Sequence, residues 1–99
     1  MITFVRTVKI APGKFAEMMA FSHQVVKHLK DKHGVQIQLT MPIGGNPNRI
    51  GYVSTYPNLA EFEATSTKLV ADADYQKLVA GNAANTIPGS VHDEVWRSL

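Results

Sequence analysis

Two stretches of this chain, Val35 to Ile43 and Ile50 to Tyr56, contain no charged residue at all. In the first, Val35, Ile37, Leu39, Met41 and Ile43 take every odd position, with Gln36, Gln38 and Thr40 between them. That alternation reads as a strand, because successive strand side chains point to opposite faces. The second stretch reads as another strand, and Gly44-Gly45-Asn46-Pro47-Asn48 is a flexible turn between them, so the two are expected to pair as a hairpin. The open face of an antiparallel sheet normally carries Lys, Glu and Arg. Here it is expected to carry Gln36, Gln38, Thr40, Gly51, Val53 and Thr55, which suit a surface that is covered and partly hydrogen-bonded. The implied cover is the same face of a second copy. A homodimer through the sheet face is therefore expected.

The rest of the chain supplies the other layer. Ile2, Phe4, Val8 and Ile10 share one face of an alternating segment, a first strand over 2–10. Ala11-Pro12-Gly13 breaks it, and Pro fits just before or at a helix start. From Lys14 the period changes: Phe15, Met18, Met19, Ser22, Val25, Val26 and Leu29 form one stripe at three- and four-residue steps. Gly34 suits the position after a helix end, so the helix is expected over 13–33. Asn58 is placed to cap a second helix beginning at Leu59. That helix pauses near Ala71-Asp72-Ala73-Asp74, where an Asp caps a short helix through Tyr75, Leu78 and Val79, ended by Gly81. Asn82 to Gly89 is polar with a Pro-Gly turn, and 91–99 reads as the last strand. The order βαββ(αα)β predicts an α+β ferredoxin-like sandwich, a four-stranded antiparallel sheet with helices on one face. Ninety-nine residues suit one domain over 1–99. A chain this short buries a modest share of its surface, so a partner's cover matters to it.

Composition narrows the partners. Only 18% of residues are charged, against roughly 25% in typical soluble domains, which again points to association. The net charge is +2 and the pI about 9.1. Lys27, Lys30 and Lys32, with His28 and His33, cluster in the last turns of the first helix, where cations complement the helix dipole. No basic stripe interleaved with aromatics accompanies them, so no nucleic-acid partner is expected. With no cysteine, disulfides, thiolate metal sites and cysteine nucleophiles are excluded. Met1 to Arg6 lacks the pattern of a signal peptide, and no apolar run approaches the ~18 residues of a membrane span. A cytoplasmic protein without a membrane partner is the expectation.

Candidate chemistry is sparse. His23, His28 and His33 are five apart, so successive ones project about 140° from each other on a helix and are expected not to converge on one ion. No HExxH accompanies them, and no metal or cofactor is expected. His23, nearest the apolar stripe, is either a hydrogen-bonded histidine at the core margin or a catalytic base. His92, Glu94 and Trp96 share one face of the last strand, with His92 and Glu94 roughly 7 Å apart at Cα. They are either an acid–base pair or a polar pair beside a tryptophan that anchors the dimer. Tyr52, Ser54 and Tyr56 share a face of the third strand. Two phenols and a hydroxyl on an interior wall either orient a small aromatic or carbonyl-bearing ligand or fill the core. Asp72/Asp74 and Glu61/Glu63 are i,i+2 pairs that diverge on a helix, and Gly44-Gly45 joins strand to strand with no helix N-terminus for a phosphate.

The segment Arg6 to Lys14, ending Ala-Pro-Gly-Lys, resembles the strand–PGK–helix opening of the dimeric α+β barrel superfamily. Within that superfamily, Tyr56-Pro57-Asn58-Leu59-Ala60-Glu61-Phe62-Glu63-Ala64 and then Leu69 to Gln76 resemble the second half of the NIPSNAP-like family. This chain has Ser54 where that pattern usually has Trp, and Phe62 where it usually has Arg. The related antibiotic-biosynthesis monooxygenases tend to carry an acid and a Trp on the third strand and a His on the following helix. The corresponding residues here are Ser54, Tyr56 and Thr65, so that acid and that His are missing. Haem-binding relatives use an axial histidine, and none is placed for that role here.

Two functions follow. The resemblance implies a small-molecule-binding or accessory homodimer, with Tyr52, Ser54, Tyr56 and Trp96 against an aromatic ligand. The alternative is a cofactor-independent monooxygenase or isomerase acting on an aromatic or polyketide-like substrate. For that, His92 or His23 is the base and Tyr52, Tyr56 and Trp96 are the walls.

Overall fold

The computed structural model describes residues 1–99. Strand β1 (Ile2–Lys9) is followed by helix α1 (Phe15–His33), then β2 (Gln38–Thr40) and β3 (Arg49–Tyr56). Helices α2 (Leu59–Val70) and α3 (Ala73–Gly81), a 3₁₀ turn at Ala83–Asn85 and strand β4 (His92–Arg97) complete the chain. The four strands form one antiparallel sheet in the order β2-β3-β1-β4, with the helices on one face. This is the expected βαββ(αα)β ferredoxin-like arrangement.

Local signals set most boundaries. Asn58 accepts a hydrogen bond from the Glu61 backbone N–H and starts α2. Asp72 accepts from the N–H groups of Asp74 and Tyr75 and starts α3. Gly34 ends α1 at φ 67°, a left-handed conformation that glycine adopts without a Cβ penalty. The second strand is the largest departure from expectation, with three residues in place of 35–43. Two causes are visible. The Val35 N–H turns back to Leu29 O of α1 at 3.1 Å, so this residue closes the helix instead of joining the sheet. Pro42, lacking an N–H, cannot extend the ladder on the other side. The last strand is also shorter than 91–99, spanning His92–Arg97.

Register assigns every strand residue to a face. Toward the helices, Phe4 lies between Ser54 and Val95, Arg6 between Tyr52 and Asp93, and Ile2 between Tyr56 and Arg97. The other face carries four rows: Trp96–Thr3–Thr55, Glu94–Val5–Val53–Gln38, His92–Thr7–Gly51–Thr40 and, at one end, Lys9–Arg49. The core is concentrated where α1 crosses the sheet. Met18 is 1% exposed and Ile50 fully buried, packed with Val8 and Ile10. Each such side chain stabilises by about 1.5–3 kcal/mol. A second cluster joins Val25 and Leu29 to Val35, with Leu69, Tyr75 and Leu78 against it. Neither α2 nor α3 has a buried residue of its own. The helix layer therefore covers the sheet without sealing it, and a cavity remains between them.

Candidate ligand-binding cavity

The cavity measures about 520 Å³, within the range that holds small-molecule ligands, and 17 of its 24 lining residues are hydrophobic. β1 and β3 form its floor through Phe4, Arg6, Val8, Tyr52, Ser54 and Tyr56. Helices α1, α2 and α3 form its walls. At one end Phe62 packs on Phe4 and Tyr56, with ring centroids 5.4 and 5.3 Å apart, the tilted and edge-on arrangements that aromatic pairs favour.

Few polar groups enter this apolar lining, and their hydrogen bonds have definite directions. Ser22 Oγ, fully buried on α1, donates to Met18 O at 2.8 Å and lies 2.7 Å from the Tyr52 hydroxyl. A serine hydroxyl has one hydrogen. With that hydrogen on Met18 O, Tyr52 donates to Ser22, and the phenol oxygen keeps its lone pairs. Burial pushes the Tyr52 pKa above its ordinary value, partly offset by the bond to Ser22, so the ring stays a neutral phenol. Ser54 Oγ donates to the Tyr56 hydroxyl at 3.1 Å, and Tyr56's own hydrogen has no partner in the chain. The floor thus offers an acceptor at Tyr52 and a donor at Tyr56.

Arg6, the one cation in the lining, is held in a bidentate pair with Asp93, its cross-strand neighbour, at 2.7 and 2.9 Å. The hydrogen bond to Asp93 raises the guanidinium pKa against the effect of burial. Its charge is balanced within the protein. Asn82, buried at the start of the 3₁₀ turn, donates to Met18 Sδ at 3.4 Å and accepts from Asn85.

Tyr52, Ser54 and Tyr56 thus lie together on the cavity floor. Thr65 of α2 joins them in the lining, so all three positions highlighted by the monooxygenase resemblance surround one space. Trp96 and His92 lie elsewhere, on the opposite face of the sheet, because their register partners are Thr3 and Thr7. There Glu94 accepts from Trp96 Nε1 at 2.9 Å and pairs with His92 Nε2 at 2.9 Å. These bonds, His92 first, lower the Glu94 pKa. His23 is an exposed residue of α1 outside the lining. Within the chain, His92, His23 and Trp96 are therefore not brought to the two phenols.

Another expectation is corrected. His28 and His33 do converge, both reaching Asp72 Oδ2, at 2.8 and 2.7 Å. Their Cα–Cβ vectors diverge along α1, but the α2–α3 junction inserts Asp72 between them and the long imidazole side chains close on it. Sequence reading also missed Arg6 as a cavity residue and Ser22 as the buried partner of Tyr52. Each left a signal: a charge on the apolar face of β1, and a hydroxyl inside the apolar stripe of α1.

A comparison with curated protein sequences finds no match. Among solved structures, the chain is similar to an uncharacterized NIPSNAP domain protein from Burkholderia xenovorans, at 15% identity and a TM-score of 0.84, covering 100% of this chain and 95% of that one. It is similar to a NIPSNAP family protein with unknown function from Agrobacterium tumefaciens, at 13% identity and a TM-score of 0.81, covering 97% and 86%. An antibiotic biosynthesis monooxygenase superimposes with a TM-score of 0.76 at 12% identity, covering 100% and 99%. At such identities the likeness is one of fold. The NIPSNAP family model matches residues 4–97, nearly the whole chain. This protein belongs to the NIPSNAP family.

Proposed function

We propose that this protein is a homodimeric small-molecule-binding protein that takes a flat, largely apolar aromatic ligand into the cavity between sheet and helices. The observation that carries this reading is the 520 Å³ apolar cavity floored by two phenols with opposite unused hydrogen-bonding capacity. A ligand with a hydroxyl or N–H near Tyr52 and a carbonyl near Tyr56 satisfies both. Small-molecule sites commonly combine apolar walls with a few such orienting groups.

Binding is favoured over catalysis by the lining itself. Arg6, Tyr52, Tyr56 and Tyr75 are its titratable side chains, and it contains no histidine or carboxylate. A cofactor-independent monooxygenase or isomerase acting on the same ligand class needs a general base within reach of the substrate. His92 lies across the sheet and His23 outside the cavity.

Support for the dimer comes from the other sheet face. Its three central rows present threonines, valines, Gln38 and Trp96, with Trp96 61% exposed; its charges are the His92–Glu94 pair and, at one end, Lys9 and Arg49. Packing two such faces forms the dimeric α+β barrel and covers that tryptophan.

Native mass spectrometry of the purified protein tests both parts. The expected spectrum shows a dimer that retains one small molecule per chain. Titration with 2-naphthol then gives saturable binding, which Tyr52→Phe and Tyr56→Phe each weaken. A monomer refutes the dimer. Binding of 2-naphthol unaffected by either substitution refutes the cavity as its site.

A further inference from the structure

Outside the cavity, the densest set of metal-ligating side chains lies where the end of α1 meets the α2–α3 junction. We propose that His28, His33 and Asp72 form a binding site for a divalent cation of the zinc class.

Geometry carries the inference. The two imidazole Nε2 atoms and the Asp72 carboxylate oxygen all lie within 4.8 Å of one another. Both nitrogens approach the same atom, Oδ2, at 2.8 and 2.7 Å. Two imidazoles and one carboxylate, with a further position for water, are a donor set that zinc accepts. Zinc bonds of about 2.0–2.2 Å in a tetrahedron separate their donor atoms by about 3.3 Å. Each imidazole therefore retreats about half an ångström from Oδ2, a small adjustment for a histidine near the end of a helix.

The groups behind the donors favour this arrangement. Asp72 Oδ1 is held by three donors: Lys32 Nζ at 2.9 Å, Asp74 N at 3.0 Å and Tyr75 N at 3.1 Å. They fix the carboxylate so that Oδ2 faces the imidazoles, as outer-shell partners do in metal sites. Five donors in all converge on this carboxylate, which has about four lone pairs. A cation at Oδ2 replaces two N–H donors with one metal ion. With Nε2 on the metal, each imidazole keeps one hydrogen, on Nδ1, and any further ring proton is released on binding.

The site is sheltered yet reachable. The Asp72 side chain is 1% exposed, His33 10% and His28 19%. A groove bordered by Glu17, Gln24, Asp74 and Lys77 reaches His28, one of the three donors. Lys32 opposes the cation, and Asp74, 3.9 Å from its ammonium, partly offsets it. An occupied site ties α1 to the start of α3, and so fixes the helices that wall the cavity.

The test uses zinc chloride and the full chain. Competition against a chromophoric chelator is expected to show one zinc per chain, and zinc is expected to raise the thermal midpoint. In wild type, ¹H–¹⁵N imidazole spectra should show His28 and His33 moving their protons from Nε2 to Nδ1, with His23 and His92 unmoved. This readout needs no variant to fold. His28→Ala and His33→Ala are each expected to weaken binding by about tenfold or more. No stoichiometric binding, or zinc that leaves the His28 and His33 tautomers unchanged, overturns the proposal.

Discussion

Tyr52 donates its phenolic hydrogen to Ser22 across 2.7 Å, joining the middle of β3 to the middle of α1. The bond crosses the space between sheet and helices and leaves the phenol oxygen with unused lone pairs. Its two ends differ in what they leave behind when broken. Ser22→Ala strands a half-buried hydroxyl and is expected to cost about 1–3 kcal/mol. Tyr52→Phe leaves Ser22 still bonded to Met18 O and is expected to cost about 1 kcal/mol or less. Urea unfolding of the two variants checks the order, and equal costs contradict the assigned direction.

Acid should weaken the metal-free protein through Asp72. Burial raises its pKa, but hydrogen bonds from His33, His28, Lys32 and the Tyr75 backbone outweigh that and hold it far below the usual carboxylate range. The folded pKa is therefore lower than the unfolded value of about 3.9, so the folded state binds fewer protons. This contribution is present above about pH 4 and is lost as the pH falls further toward the folded value. Asp72→Asn should lower stability near neutrality and flatten the acid limb between about pH 4 and 2. Urea midpoints across that interval decide it, and parallel curves for the two proteins exclude the mechanism.

The sheet's outer face should respond to a single charge. Val53 sits in a row between Val5 and Gln38. Val53→Lys is expected to yield a folded monomer, because a desolvated, unpaired charge in an interface costs several kcal/mol. Sedimentation reads the mass and circular dichroism the fold. A Val53→Lys protein that stays dimeric locates the interface elsewhere.

The start of α2 rests on one side chain. Asn58→Ala removes the acceptor for the Glu61 N–H, 2.9 Å away, and should cost about 1 kcal/mol. Asn58→Asp keeps an acceptor beside the positive end of the helix and should restore the stability. Thermal melts of both variants test this.

The faces of the strands were legible in advance because parity is a local property. Once Tyr52 is in a strand, Ser54 and Tyr56 share its side and Val53 and Thr55 do not. The same rule placed His92, Glu94 and Trp96 together. It did not say whether they lie on the phenols' side of the sheet, since that depends on the β1–β4 register, in which His92 meets Thr7 and so faces away from them. The second strand was overestimated for a related reason. Alternation from Val35 to Ile43 marks residues fit for a strand, but Val35 was needed to end α1.

The sequence by itself determined the order of elements, the helix cap at Asn58, an Asp cap for the third helix, and the uncharged middle strands. These follow from φ/ψ preferences and from side-chain periods of 2 and 3.6, which act within a few residues. Only the tertiary structure decided that the helix layer leaves a cavity over Tyr52 and Tyr56, and that Asp72 joins His28 and His33. Asp72 is 44 residues from one histidine and 39 from the other. No periodicity spans such distances; the meeting depends on how α2 and α3 pack against α1.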